Sequence, residues 1–88
     1  MRIRRRYIFY GWVQGVGFRW RALHAARKNN VTGFVRNLDD GSVEMEAEGC
    51  EEDIDRTVID IERSRYISIC DMDVKSIPLQ DDRDFEIL

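Results

Sequence analysis

The 88-residue chain is short of proline, cysteine and histidine, with one, two and one of each. A single proline, Pro78, leaves no proline-rich tract, and a hydrophobic share of 43% excludes a disordered composition. Cys50 and Cys70 form no C-x-x-C pair and no grouping with His24. A zinc site is therefore not expected, and the cysteines read as two reduced thiols used for packing. No apolar run approaches the roughly 20 residues that span a bilayer. The start, Met1-Arg2-Ile3-Arg4-Arg5-Arg6, has charge but no apolar stretch leading to a small-residue cleavage site. A cytoplasmic protein without membrane contact is expected. The length suits one small domain spanning residues 1–88, and a monomer is expected.

The sharpest absence is of negative charge. Residues 1–38 hold no Asp or Glu, but nine bases: Arg2, Arg4, Arg5, Arg6, Arg19, Arg21, Arg27, Lys28 and Arg36. All seventeen acids lie in residues 39–88, beside five bases. If charge in sequence were also charge in space, the first half would steer small anions toward itself. Interleaving of strands from the two halves would cancel that field.

What is present in the acid-free half is a glycine loop. Gly11-Trp12-Val13-Gln14-Gly15-Val16-Gly17-Phe18-Arg19 follows the strand-like Tyr7-Ile8-Phe9-Tyr10 and opens a helix-like run. Glycine admits positive φ and close approach of a ligand to the backbone. A loop opening a helix aims unpaired N–H groups at one point, with the helix dipole behind them. Such a point takes phosphate or carboxylate, and the planar fork of Arg19 matches a phosphate edge.

The flanking elements follow from periodicity. Ile3 to Val13 reads as a strand with blurred alternation, and Phe18 to Asn29 as a helix ending at Asn29-Asn30. Thr32 to Leu38 is a second strand, and Asp39-Asp40-Gly41 signals a hairpin. In the third strand Val43, Met45 and Ala47 face inward while Glu44, Glu46 and Glu48 face out. Glu51 to Ser64 is a second helix burying Ile54, Val58 and Ile61. Cys70, Met72 and Val74 alternate with Asp71, Asp73 and Lys75 as a fourth strand, and Phe85 with Ile87 suggests a short closing strand. The order suits an α+β, ferredoxin-like split β-α-β sandwich, an antiparallel sheet with two helices on one face.

The glycine loop resembles the first signature of the acylphosphatase family, G-x-V-Q-G-V-G-F-R. Gly33-Phe34-Val35-Arg36-Asn37-Leu38-Asp39-Asp40-Gly41-Ser42-Val43 resembles the second, G-(aromatic)-V-x-N-x-x-D-G-x-V. The resemblance implies metal-independent hydrolysis of the carboxyl-phosphate bond of a small acyl phosphate, giving a carboxylate and inorganic phosphate. Phosphate would then act as product and competitive inhibitor, and no cofactor is implied. It also implies a substrate cradle of Gln14, Gly15, Val16, Gly17, Phe18 and Arg19, chiefly through backbone N–H. Arg19 matches the family's phosphate-binding arginine, and Asn37 matches the asparagine that orients the attacking water. The family usually has Leu-Gly where this chain has Asn29-Asn30, which removes an apolar contact.

Other residues have blander readings. His24 is the only histidine, but it lies more than a helical turn from the cradle and reads as a surface or packing residue. Trp12, Phe18, Trp20 and Phe34 are candidates to stack on a substrate, with packing favoured for Phe18 and Phe34. The rival reading is a nucleic-acid module, since Arg4-Arg5-Arg6 precedes Tyr7, Phe9 and Tyr10. However, RNA-binding sheets display their aromatics from a central strand, whereas here the glycine-rich run opens a helix. An isoelectric point near 5.1 also argues against a broad phosphate-binding surface, and no nucleic-acid partner is expected. A second rival is a carbamoyl-phosphate-handling domain like the first domain of a hydrogenase-maturation protein.

Overall fold

The computed structural model describes residues 1–88. The elements are β1 (Arg2–Trp12), α1 (Phe18–Lys28), β2 (Thr32–Asn37), β3 (Val43–Cys50), α2 (Glu51–Glu62), β4 (Ser68–Ile77) and β5 (Phe85–Ile87). The sheet runs β4-β1-β3-β2-β5. Its first four strands are antiparallel neighbours, while β5 lies parallel to β2, so the closing strand makes the sheet mixed. This is the expected ferredoxin-like α+β architecture.

One face of the sheet carries the apolar core. Phe9, Val35, Val43, Met45 and Ala47 meet Ala22, Ala26, Ile54 and Ile61 from the helices, and all nine are fully buried. The Phe9 and Phe18 ring centroids are 5.0 Å apart and tilted, an arrangement aromatic pairs favour. That contact fixes the first residue of α1 against β1.

At the end of α1, Asn29 makes a polar contact to α2. Asn29 is buried, and its Nδ2 donates to Thr57 Oγ1 at 3.2 Å and to Asp60 Oδ2 at 3.0 Å on α2. Asn30 takes the left-handed conformation, φ 59°, as expected for an asparagine past a helix end.

The opposite face overturns a simple inside-outside reading of β3. Glu44 and Glu48 point away from the helices yet are 4% and 0% exposed. Glu44 accepts from Arg6 at 2.6 Å and from Arg36. Glu48 accepts from Arg2 at 2.8 Å and Arg4 at 3.0 Å. It also accepts from the backbone N–H groups of Gln80 at 2.7 Å and Asp81 at 3.0 Å. Arg4, itself buried, reaches Glu46 and Asp82 as well. The chain must pass from edge strand β4 to the opposite edge at β5, and it crosses this face on the Glu48 carboxylate. The crossing thus covers the start of β1, at Arg4, on the face away from the helices, which adds to the blurred alternation of that strand; Ile8 is buried on the same face, outside the main core.

The fourth strand differs from expectation in a second way. Met72 and Val74 are on the helix side, paired with Phe9 and Tyr7, but stand exposed because β4 is an edge that the helices do not reach. Both cysteines are free and exposed rather than packed.

Burial pushes the Glu48 carboxyl up, but the Gln80 amide, Arg4 and the Asp81 amide outweigh it and hold it below the usual range. Burial likewise raises Glu44, and Arg6 and Arg36 bring it below. A carboxyl lowered by folding stabilises fully above its unfolded pKa, about 4.3 for Glu. That stabilisation is lost as the pH falls through the lowered folded value. Glu48→Gln should therefore lower stability by about 3 kcal/mol at pH 7 and lose less on acidification than the parent. Urea melts between pH 7 and pH 3 measure both effects, and parallel pH profiles for the two proteins would contradict this account.

Candidate active site

The loop between β1 and α1 is pinned at three apolar points and free between them. Val13 and Phe18 are buried at its ends, and Val16 packs against the core from its middle. Gly15 and Gly17 arch between these anchors at φ 72° and 82°, where a side chain is strained. A Cβ on either would meet nothing within 4 Å. Backbone geometry therefore selects glycine here, and it leaves the main chain open on the outer side.

Gly17 is also the N-cap of α1. It offers no side-chain cap, and the first turn of the helix holds no acid. The N–H groups at this terminus are thus left without a carboxylate competitor, and the dipole leaves partial positive charge there.

Gln14 does something the sequence did not reveal. Its Nε2 donates to Leu38 O at 2.7 Å and Ser42 O at 2.9 Å. The loop is thereby stapled to the β2–β3 hairpin, whose turn is closed by Asp40 Oδ1 accepting from Ser42 N at 2.9 Å. This staple sets Asn37, the last residue of β2, opposite the loop.

The result is a cleft of about 220 Å³ lined by Val13, Gly15, Gly17, Phe18, Arg19, Trp20 and Asn37. Five of the seven sequence candidates line it: Gly15, Gly17, Phe18, Arg19 and Asn37. Gln14 and Val16 flank it, the first turned to the hairpin and the second to the core. Neither Arg19 nor Asn37 spends its side chain on the protein. Among the nine bases of residues 1–38, seven form ion pairs with carboxylates. Arg21 donates to the Asp60 carbonyl at 2.9 Å. Arg19 alone is left over. The asymmetry of charge along the chain is therefore largely cancelled in space, except at the cleft.

His24 lies one turn beyond Trp20 on α1 with its ring stacked on the indole, centroids 5.3 Å apart, and does not line the cleft. No group of three or more His, Cys, Asp or Glu side chains converges to hold a metal ion. No helix is long and apolar enough to cross a membrane.

The acylphosphatase family model matches residues 5–87. The chain belongs to the acylphosphatase family. It is 42% identical over 69 residues to an acylphosphatase of Oceanobacillus iheyensis, covering 76% of each chain. It is 38% identical over 80 residues to an acylphosphatase of Leuconostoc mesenteroides, covering 89% of each. The crystal structure of acylphosphatase from Bacillus subtilis superposes with a TM-score of 0.91 at 35% identity, covering 98% of both chains. Full-length HypF, in a phosphate- and nucleotide-bound form, contains a similar region: TM-score 0.87, 28% identity, 12% of that chain.

A cleft of this form should take inorganic phosphate. At constant ionic strength and a hundredfold excess over its Kd, phosphate should add about 2.7 kcal/mol of stability, read as a rise in Tm. Arg19→Ala should remove most of that rise. An equal rise in the variant would place the anion elsewhere.

Proposed function

We propose that this chain hydrolyses small acyl phosphates by attack of water on phosphorus, without a metal ion. The observation that carries the reading is Arg19, the one base of the acid-free half with no protein partner, facing the cleft between two glycine-opened turns of backbone. Arg19 and the N–H groups of residues 14–19 hold the phosphoryl oxygens, and the Asn37 amide, which makes no side-chain hydrogen bond within the protein, orients the water.

The chemistry suits such a site. Phosphoryl transfer runs through a loose transition state and asks mainly for positioning and charge stabilisation. The water oxygen bonds to phosphorus as the bond from phosphorus to the acyl oxygen breaks. The carboxylate leaves with the electron pair, and the water's proton passes to the phosphate. A carboxylate is a good leaving group, so no strong general acid is required. Inorganic phosphate, the second product, occupies the same cradle and competes with substrate.

The working unit in this reading is the single domain of residues 1–88 acting as a monomer. Two exposed, unpaired cysteines suit a reducing compartment such as the cytoplasm. A nucleic-acid role finds little support. Arg4, Arg5 and Arg6 are committed to carboxylates, and Tyr7 and Phe9 are buried in the core rather than displayed.

The test is hydrolysis of benzoyl phosphate in EDTA by the parent and by Asn37→Ala. The parent should turn over, and the variant's kcat should fall about a hundredfold while inhibition by inorganic phosphate persists. A folded variant with unchanged kcat would end the water-positioning role. A parent that needs added magnesium would end the metal-free mechanism.

A further inference from the structure

Trp20 has a place in the cleft that phosphate binding does not explain. It follows Arg19 in the first turn of α1 and lines the cleft, yet its side chain is left 63% exposed. That exposure remains although the His24 ring stacks on the indole at 5.3 Å with only 17° between planes. The i, i+4 spacing on α1 brings the two rings together. The stack covers part of the indole, and the rest stays open in the cleft that Arg19 also lines. The other apolar cleft residues, Val13 and Phe18, are buried at 1% and 2%, and Gly15 and Gly17 offer only backbone. Trp20 is therefore the one large apolar surface that a bound molecule can touch in the cleft.

We infer that Trp20 is the platform for the acyl group, so that the enzyme favours flat, aromatic or otherwise planar acyl phosphates over short aliphatic ones. His24 acts as a positioning residue that holds the platform. This inference rests on the acyl phosphate reading: with the phosphoryl group in the cradle, the acyl group must extend from it toward the rim of the cleft. Stacking on the indole face adds to apolar burial there. It also assigns a use to the lone histidine that requires no proton transfer.

The experiment compares benzoyl phosphate with acetyl phosphate as substrates, and the non-hydrolysable benzoylphosphonate with acetylphosphonate as ligands. The parent should favour the benzoyl member of each pair. Trp20→Ala should lower the benzoyl-to-acetyl ratio of kcat/KM about three- to tenfold, the range expected for one aromatic contact. The binding ratio of the two phosphonates should fall alike. His24→Ala should lower the ratio by less, and His24→Phe, which restores a ring to stack on, should recover it. Trp12→Ala is the control: Trp12 is 74% exposed but lies outside the cleft, so its removal should leave the ratio unchanged. Unaltered ratios in a folded Trp20→Ala variant would overturn the inference. A parent that prefers benzoylphosphonate but hydrolyses neither acyl phosphate would uphold the platform and overturn the hydrolytic reading instead.

Discussion

The pairing of strand arginines with strand glutamates across the face of the sheet away from the helices is the constraint on which the rest depends. β1 brings Arg2, Arg4 and Arg6 beside the glutamates of β3, and their antiparallel register sets base against acid. A buried carboxylate such as Glu48 is tolerated only with several donors, and it has four: two arginines and two backbone amides. Those amides belong to the segment that crosses the sheet. The same carboxylate therefore satisfies its own charge, secures the crossing and lets β5 close the far edge. The lattice has a second consequence. It takes up Arg2, Arg4, Arg6 and Arg36; Arg5, Arg27 and Lys28 pair with carboxylates elsewhere, Arg21 donates to a backbone carbonyl, and Arg19 is left without a partner.

The site is built before any ligand arrives. Phe18 on Phe9 fixes the start of α1, Val13 and Val16 fix the loop, and the Gln14 staple fixes the hairpin that carries Asn37. Each link is apolar packing or a part-buried hydrogen bond, so the cleft is held by the fold rather than by flexible side chains. Donors aimed in advance at developing charge need no reorganisation during reaction. In the proposed reading, this is how an 88-residue chain with no cluster of metal-binding side chains would present a preorganised site for phosphoryl transfer.

The sequence made the local features readable and left the long-range ones hidden. The glycine loop, the hairpin and both helices depend on neighbours a few residues apart, and they stand within a residue or two of expectation. The burial of Glu44 and Glu48 depends on arginines some forty positions away, which period-two alternation cannot register. The parallel placement of β5 follows from a crossing whose anchor lies on β3. Gln14 sits inside a loop signature, so its spacing suggested a ligand contact; its staple becomes visible only when the hairpin folds beneath it. Trp12, Phe18, Trp20 and Phe34 are alike candidates to stack on a substrate in the sequence, with packing favoured for Phe18 and Phe34; only the fold separates buried Phe18 from exposed Trp20.

The account places the nucleophile at phosphorus, and isotope transfer tests that placement most directly. Hydrolysis of an acyl phosphate should be run to completion in water enriched in oxygen-18, with both products then analysed by mass. Attack by a water held at Asn37 on a phosphoryl group held by Arg19 predicts one labelled oxygen in the inorganic phosphate and none in the carboxylate. Label in the carboxylate would mean attack at the acyl carbon, and would contradict the assignment of the cradle to the phosphoryl group.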